Sequence, residues 1–245
     1  MASPFLTARW ENLILLNFDC PAGLLRPYAP EGTRLDAWRG GHVLSLVGFL
    51  FADTRLFGIP VPFHRTFEEV NLRFYVRREM PDGRARRGVV FIKELVPLHA
   101  VALVARLVYN ENYEATPMER RIDIDAERGG SLEYEWHHGG GVHRLAASVE
   151  GPARPLESGS EAEFITEHYW GYTRQRDGGT LEYRVEHPRW RVWEPTTCVY
   201  EPPAEPRLYR PEFTEILGSE PRSAFVATGS KVAVHRGSRL RAPNG

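Results

Sequence analysis

The sequence predicts a mainly β (α+β) fold, in which one closed or nearly closed sheet is accompanied by a few helices. Strand-like runs occur along the whole length of the 245 residues, and glycine turns separate several of them. Hydrophobic residues make up 42% of the chain and aromatic residues 11%, which is enough to fill a large core. No internal repeat or low-complexity linker divides the sequence. We therefore expect residues 1–245 to form a single domain.

The first elements are predicted from short apolar runs and the turns between them. Glu11–Cys20 is rich in Leu and Ile and predicts a buried strand. Pro21 precedes a short amphipathic stretch, which is typical of a small helix with proline in its first turn. Leu35–Trp38 and His42–Phe51 flank a glycine turn, and this pattern predicts a hairpin.

Phe67–Val76 is the clearest strand, because its side chains alternate strictly in character. Its apolar face consists of Val70, Leu72, Phe74 and Val76. Its polar face consists of Glu69, Asn71, Arg73 and Tyr75. A polar turn, Met80–Gly88, leads to a second strand over Val89–Val96, so the two strands are expected to pair. The apolar run Leu98–Tyr109 favours a buried helix.

The second half of the chain is also predicted to consist mainly of strands separated by glycine turns. Tyr113–Glu150 alternates strand-like stretches with glycine turns and predicts a meander. Ser160–Glu163 has the form of a capping box, so we expect a helix that runs toward Tyr172. Strands resume over Thr180–Trp193. After a proline-rich stretch, Ser223–Arg236 predicts a final hairpin that turns at its central glycine.

Composition and charge narrow the classes of function. A formal net charge of -1 leaves no excess of cations to neutralise phosphates, so no nucleic-acid partner is expected. No window approaches the ~18 apolar residues of a membrane span, and Met1–Trp10 lacks the apolar run of a signal peptide. The two cysteines are too few for a disulfide framework. We predict a cytoplasmic protein without a membrane partner, and a homo-oligomer is compatible with the sequence.

The usual signatures of cofactor and metal enzymes are absent, so no cofactor is predicted. His137, His138 and His143 place three imidazoles within seven residues. The glycines between them indicate a flexible turn, whereas a metal site needs ligands in fixed geometry. We therefore assign no metal. His64 directly precedes the alternating strand, where it lies either at the mouth of a cavity or in a structural hydrogen bond.

Two groups carry the candidate chemistry. The row Glu69, Asn71 and Arg73 faces solvent if the sheet is open, and lines an interior if the sheet closes. Lys93, one of only two lysines, is predicted to share a face with Phe91 and Leu95. Desolvation lowers the pKa of an amine toward reactivity. A lysine on an exposed strand is the alternative for this position.

Several stretches resemble one family. They are Thr7–Leu13, Pro62–Val76 with its F-x-E-x-N-x-R-x-Y-V run, Gly88–Phe91, and the segment from Ala105 to Tyr113. Together they resemble the uncharacterised DUF2071, or YqjF-like, family. That family is similar to acetoacetate decarboxylase. The resemblance implies a cone-shaped β-barrel with a few flanking helices and a central cavity for a small molecule.

The same resemblance bears on the mechanism. Phe67–Glu69 resembles the acidic run that lines the decarboxylase active site, which implies that Glu69 is the corresponding carboxylate. The stretch that matches the decarboxylase's Schiff-base segment is Val104–Glu114, and it contains Arg106 and Tyr113 but no lysine. Without an amine no iminium can form to accept electrons from a departing carboxylate.

Three hypotheses follow. In the first, the protein binds or acts on a small organic acid or carbonyl compound without a Schiff base at the usual position, with Arg73 or Arg106 holding a carboxylate and Glu69 as general acid or base. The further candidate ligand-binding residues are Asn71, Tyr113 and His64. In the second, Lys93 forms the Schiff base of a decarboxylase-like lyase from within the cavity. In the third, the protein is a non-catalytic module for ligand binding or protein interaction. A closed cavity of about 300 Å³ or more lined by Glu69, Arg73 and Lys93 would favour ligand chemistry, whereas a barrel filled by side chains would favour the third hypothesis.

Overall fold

The computed structural model describes residues 3–99, 101–102 and 110–240. Short α-helices lie at Ala22–Leu25 (α1), Glu161–Thr166 (α2) and Pro211–Leu217 (α3), and Arg26–Tyr28 is a 3-10 helix. The strands are β1 (Leu6–Asp19), β2 (Arg34–Leu35), β3 (Val43–Leu56), β4 (Ile59–Pro60), β5 (Phe67–Glu79), β6 (Ala85–Val96), β7 (Tyr113–Ala115), β8 (Met118–Asp125), β9 (Gly129–His138), β10 (Gly141–Glu150), β11 (Arg154–Pro155), β12 (Trp170–Arg174), β13 (Thr180–Glu186), β14 (Arg191–Trp193), β15 (Thr197–Glu201), β16 (Ser223–Val234) and β17 (Ser238–Arg239).

The long strands form a ring. Their hydrogen-bonded order is β1, β3, β5, β6, β12 and β13, and β13 and β1 both pair with β16, which completes the circuit. All these pairings are antiparallel except the short parallel contact of β6 with β12. Strands β8, β9, β10 and β15 form a second, antiparallel sheet. The prediction of a mainly β fold with few helices is confirmed.

Two hydrophobic cores lie on opposite faces of the ring. The outer core lies between the ring and the second sheet, and Ile14, Leu16 and Phe18 of β1 point into it. The inner core lies inside the ring and takes Leu13 and Leu15 from the same strand. Both faces of β1 are therefore buried, which explains why its sequence is a continuous apolar run rather than an alternating one.

β5 separates the same two regions with a different pattern. Its predicted apolar face lies in the outer core, where Val70 and Leu72 are fully buried. Its polar residues Glu69, Asn71 and Arg73 are also buried, with side chains on the inner side of the ring. The alternation predicted for this strand is confirmed, and of the two alternatives for its polar face the structure has the interior one.

Several predicted elements agree with the structure in type and place. The strand Glu11–Cys20 is the buried half of β1, the helix after Pro21 is α1, and β5 and β6 form a hairpin. β8, β9 and β10 form the expected meander. Ser160 caps α2 as predicted, since its Oγ accepts a hydrogen bond from the backbone N–H of Glu163 at 3.1 Å.

The expected hairpin between Leu35–Trp38 and His42–Phe51 is wrong. β3 uses both of its edges for long ladders with β1 and β5, so neither edge is open to residues 35–38. β2 pairs with β5 instead. A single bridge between Trp38 and Gly41 closes the turn.

The helix predicted toward Tyr172 ends earlier, at Thr166. Trp170–Arg174 forms β12, which pairs with β13 and also touches β6. These long-range ladders outweigh the local helical signal, and they supply the strand that the ring needs between β6 and β13.

The predicted final hairpin over Ser223–Arg236 is also wrong, since β16 runs straight through it. Gly229 is not a turn residue; it lies where β16 crosses a bulge of β1. A Cβ at Gly229 would lie 1.9 Å from the carbonyl oxygen of Trp10, and the backbone φ is +74°. Glycine is required there by close packing of two backbones.

Two further segments remain, the predicted helix over Leu98–Tyr109 and the proline-rich stretch after Glu194, for which the sequence predicted no element. The helix expected over Leu98–Tyr109 falls mostly outside the described residues. The proline-rich stretch after Glu194 contains β15 and α3, with Pro211 in the first turn of α3. Across the described part of the chain, no helix has the length and apolar character needed to cross a membrane.

Candidate active site

A cavity of about 240 Å³ lies inside the ring, which is below the size of about 300 Å³ expected from the sequence for a ligand site. The inner face of β5 contributes Glu69, Asn71 and Arg73 to its lining. Their exposed fractions are 3%, 2% and 9% respectively, so these polar groups are removed from bulk water. The predicted row of carboxyl, amide and guanidinium groups therefore lines a concave cavity, which is typical of small-molecule sites.

A bulge in β6 decides which of its residues reach this cavity. Lys93 is opposite Leu72, whereas Phe91 is opposite Arg73, so Ile92 is one extra residue in the ladder. The side-chain alternation changes phase at that point. Phe91 and Glu94 line the cavity, and Ile92 packs in the outer core.

Lys93 consequently lies outside the cavity, and the prediction that it shares a face with Phe91 is wrong. Its Nζ forms an ion pair with Glu114, which also contacts His138 at 3.3 Å. The hypothesis of a Lys93 Schiff base needs this amine inside the cavity. The bulge places it on the other side of the sheet.

Three carboxyl groups meet around one tyrosine. Tyr113 donates a hydrogen bond from its hydroxyl to Glu69 Oε2 at 3.0 Å, and Asn71 donates from Nδ2 to Glu69 Oε1 at 3.0 Å. Tyr113 is directly opposite Glu94 in the parallel pairing of β7 with β6. Glu111, two residues before Tyr113, accepts a hydrogen bond from the hydroxyl of Tyr183 at 2.6 Å.

Burial dominates the acid–base properties of this cluster. Desolvation raises the pKa of Glu69 from its ordinary 4.5 to about 7, against the opposing hydrogen bonds from Asn71 and Tyr113. Desolvation likewise raises the pKa of Glu111 to about 7. The pKa of Glu94 is raised by burial and then by the charges of the other two carboxyls. Carboxyl groups with a pKa of about 7, as for Glu69 and Glu111, are suited to exchanging protons near neutral pH.

Tyr113 remains a phenol and therefore a hydrogen-bond donor. Burial, followed by the neighbouring carboxylates, raises its pKa well above the ordinary value. The structure thus brings the predicted residues Glu69 and Tyr113 together. The pattern of the sequence did not indicate Glu94 or Glu111, because their position depends on the β6 bulge and on the pairing of β7.

Arg73 is a buried cation that forms no ion pair with the described residues. No carboxylate of the described residues lies within 4.0 Å of its guanidinium, and its Nη2 makes one long contact of 3.5 Å to the carbonyl oxygen of Ile165. Its Nε has no hydrogen-bond partner among the described residues. Burying an unpaired charge is costly, so this group is suited to an anionic ligand.

His168 is a cavity residue that the sequence analysis missed. It is 7% exposed, and neither ring nitrogen has a hydrogen-bond partner in the described part of the chain. Its ring lies 4.6 Å from that of Tyr75, over which Arg73 also packs at 5.8 Å. Burial, then the charges of Arg87 and Arg73, lowers its pKa, so the imidazole is neutral. No local pattern marks it, because it follows α2 and reaches the cavity through tertiary packing.

Seven buried polar atoms on cavity-lining residues lack a hydrogen-bond partner among the residues described. They are Trp10 Nε1, Thr54 Oγ1, Asn71 Oδ1, Arg73 Nε, Glu94 Oε2 and both ring nitrogens of His168. Buried polar groups in proteins are nearly always hydrogen-bonded. Their concentration around one cavity is typical of a site that completes its hydrogen bonds with a ligand or solvent.

The other residues singled out from the sequence lie in different places. His64 lines the cavity and its Nδ1 contacts the carbonyl oxygen of Pro62 at 2.7 Å. Arg106 lies outside the described residues. His143 is buried against Trp136 and contacts the hydroxyl of Tyr200 at 2.8 Å. Within residues 3–99, 101–102 and 110–240, no group of three His, Cys, Asp or Glu side chains is arranged to hold a metal ion.

The ring of strands has the acetoacetate decarboxylase-like fold. The crystal structure of acetoacetate decarboxylase from Legionella pneumophila matches with a TM-score of 0.63 and 14% identity, covering 98% of this chain and 88% of that chain. The enduracididine biosynthesis enzyme MppR complexed with pyruvate matches with a TM-score of 0.66 and 10% identity, covering 98% and 92%. Identities this low show the fold alone.

The chain belongs to the family of uncharacterized conserved proteins named DUF2071, whose model matches residues 7–230. The uncharacterized protein YqjF of Bacillus subtilis strain 168 is 24% identical over 186 residues, covering 73% of this chain and 72% of that protein. The resemblances inferred from the sequence motifs, to this family and to the decarboxylase fold, are confirmed.

Proposed function

We propose that the cavity binds a small carboxylic acid that also carries a carbonyl group, and that Glu69 transfers a proton at the carbon next to that carbonyl. One observation carries this proposal: a protonatable carboxyl cluster lines the same cavity as a buried guanidinium that has no carboxylate within 4.0 Å among the described residues. The guanidinium supplies binding, and the cluster supplies acid–base chemistry.

Arg73 is the binding group. Its planar fork can form two parallel hydrogen bonds with a ligand carboxylate, and such a carboxylate would supply the ion pair that Arg73 lacks among the described residues. The neutral imidazole of His168 also lies against the Tyr75 ring and supplies an additional donor or acceptor near Arg73. Together they orient the carboxylate end of the ligand.

Glu69 is the base, and its pKa of about 7 suits this role because a catalytic base works best near the operating pH. Its carboxylate takes a proton from the carbon beside the ligand carbonyl. The electron pair of that C–H bond forms a carbon–carbon double bond, and the carbonyl π pair moves to oxygen. Protonated Glu94 can donate a hydrogen bond to the resulting enolate oxygen, while the hydroxyl of Tyr113 continues to donate to Glu69. Return of a proton from Glu69 to carbon completes the exchange.

This chemistry needs no amine, which agrees with the position of Lys93 outside the cavity. The structural neighbour MppR is complexed with pyruvate, a compound that has the proposed combination of carboxylate and carbonyl. That precedent supports the choice of ligand class for a first test.

The test is proton exchange followed by NMR. Pyruvate and acetoacetate in D2O would be incubated with the wild type, Glu69→Gln and the exposed control Glu119→Gln. Because general acid–base groups contribute about 100-fold or more, we expect Glu69→Gln to lower the deuterium incorporation rate by about that factor. The Glu119→Gln control should exchange at the wild-type rate.

Binding is measured separately by calorimetry. Since truncating a buried charged group costs about 2 kcal/mol or more, Arg73→Met should raise the Kd for these acids by at least about 30-fold, whereas Arg207→Met on the surface should not. Binding without exchange in the wild type would contradict the role of Glu69 and support the non-catalytic ligand-binding hypothesis. Absence of binding to every acid tested would contradict the proposal as a whole.

A further inference from the structure

We propose that one wall of the cavity is a subsite for an aromatic or bulky apolar substituent, so that the acids bound are larger than pyruvate. This inference rests on the proposed function and names the substrate class of the same site. The wall, called here the aromatic wall, consists of Trp10, Phe49, Phe51, Phe67 and Trp190, all of which line the cavity.

The rings of the aromatic wall form a continuous surface. Trp10 lies 5.5 Å from Phe49, 5.9 Å from Phe51 and 6.4 Å from Trp190, measured between ring centroids. Phe51 stacks on Phe67 at 4.8 Å. Edge-to-face and offset contacts of this kind leave ring faces and edges that accept another aromatic ring in the same geometries.

Strand register places the aromatic wall beside the acid–base group. Phe49 of β3 is directly opposite Glu69 of β5, and Phe51 is directly opposite Phe67. Cross-strand neighbours have Cβ atoms about 5 Å apart. A ligand whose reacting carbon lies at Glu69 therefore places a substituent on that carbon against Phe49 and Phe67.

The opposite side of β5 has the contrasting character. Across the β5–β6 pairing, Asn71 is opposite Glu94 and Arg73 is opposite Phe91. The polar groups Asn71 and Glu94 thus lie on the β5–β6–β7 side, where Phe91 is the aromatic neighbour of Arg73, whereas Trp10, Phe49 and Phe51 lie on the β3–β1 side. A cavity with one polar and one aromatic wall fits an amphipathic ligand, an acid with an apolar side chain, better than a wholly polar one.

The aromatic wall is held in place before any ligand arrives. Trp190 donates from Nε1 to Ser230 Oγ at 2.8 Å, and its ring stacks on His187 at 4.5 Å. Phe49, Phe51 and Phe67 are each less than 9% exposed. Binding then orders few side chains, so the burial of a ligand ring is not offset by a large entropy cost.

The experiment compares matched 2-oxo acids by calorimetry on the wild type: pyruvate, 4-methyl-2-oxopentanoate and phenylpyruvate. Because even one methylene in an apolar pocket changes affinity by about tenfold or more, we expect phenylpyruvate to bind at least about tenfold more tightly than pyruvate. Equal affinities would overturn the aromatic subsite and leave the proposed function standing. If none of the three acids binds, the proposed function fails first.

Two variants and one cationic probe sharpen the test. Phe49→Leu should weaken phenylpyruvate by about tenfold more than pyruvate. The control Phe213→Leu changes a buried aromatic residue of the outer core and should leave the ratio of the two affinities unchanged. A Phe49→Leu ratio equal to that of the wild type would contradict the subsite. Tighter binding of phenyltrimethylammonium than of phenylpyruvate would also overturn it, since the rings would then act as a cation–π cage.

Discussion

Replacing Glu69 by Gln is expected to make the protein more stable at neutral and alkaline pH while changing its stability little in acid. The side chain is 3% exposed, and burial raises the pKa of its carboxyl from 4.5 to about 7 in the folded protein. Below about pH 4.5, both folded and unfolded chains carry the proton. As pH rises from there to about 7, the unfolded chain releases its proton first, so the folded chain binds more protons and the free energy of unfolding falls.

The size of the effect follows from the pKa difference. At 1.36 kcal/mol per pH unit, raising the pKa from 4.5 to about 7 corresponds to a loss of about 3 kcal/mol that is complete above about pH 7. Glutamine has no charge to desolvate, and its side-chain oxygen can still accept one of the hydrogen bonds that Glu69 receives from Asn71 and Tyr113. The free energy of unfolding of Glu69→Gln should therefore not show the decrease of about 3 kcal/mol that ionisation of Glu69 causes in the wild type.

Urea unfolding at several pH values between about 5 and 8 would measure the difference, with Glu119→Gln as an exposed control. The difference in unfolding free energy, Glu69→Gln minus wild type, should grow with pH and then level off above about pH 7. A difference that stays constant across this range, or that grows as pH falls, would refute the argument. It would mean that the buried carboxyl of Glu69 is ionised throughout.

Three further predictions test the fold and the exclusion of Lys93. Gly229→Ala should lower the free energy of unfolding by about 2 kcal/mol or more, because the new Cβ would collide with the Trp10 carbonyl oxygen. The control Gly40→Ala also has a positive φ but open space around it, so it should cost about 1 kcal/mol. Equal losses of the two variants in urea titrations would contradict the close packing at Gly229. Ser160→Ala should cost about 1 kcal/mol through loss of the α2 N-cap, and an unchanged urea midpoint would argue against that cap. Lys93→Met should leave proton exchange unchanged, because Lys93 lies outside the cavity and pairs with Glu114. Borohydride reduction of the wild type with β-oxo acids should trap no adduct. A trapped adduct on Lys93 would restore the Schiff-base hypothesis.

Much of the candidate site could be predicted from local patterns. The alternation of Phe67–Val76 identified Glu69, Asn71 and Arg73 as one row, and the structure has them in one row along the cavity. Tyr113, named from the family resemblance, donates a hydrogen bond to Glu69. These successes share a cause: the two-residue period of a strand is set by backbone geometry and survives in any sheet.

The errors arose where long-range pairing overrides a local signal. Gly229 and its polar neighbours have the composition of a turn, yet the pairing of β16 with β1 continues through them and keeps the segment in one strand. Trp170 lies in a predicted helix, yet β6 and β13 hold it in a strand. Turn and helix propensities amount to about 1 kcal/mol per residue, and a ladder of backbone hydrogen bonds with its packed side chains exceeds that.

The sequence alone was sufficient for the strand-rich fold, the two faces of β5 and the cap of α2, because each depends on neighbours a few residues apart. It did not indicate which face of β5 is enclosed, since that depends on closure of the ring through β12, β13 and β16. Nor did it indicate the fate of Lys93. One extra residue in the β6 ladder turns this amine away from the cavity and turns Glu94 toward it, and this bulge depends on how β6 pairs with β5 rather than on the pattern of either strand alone.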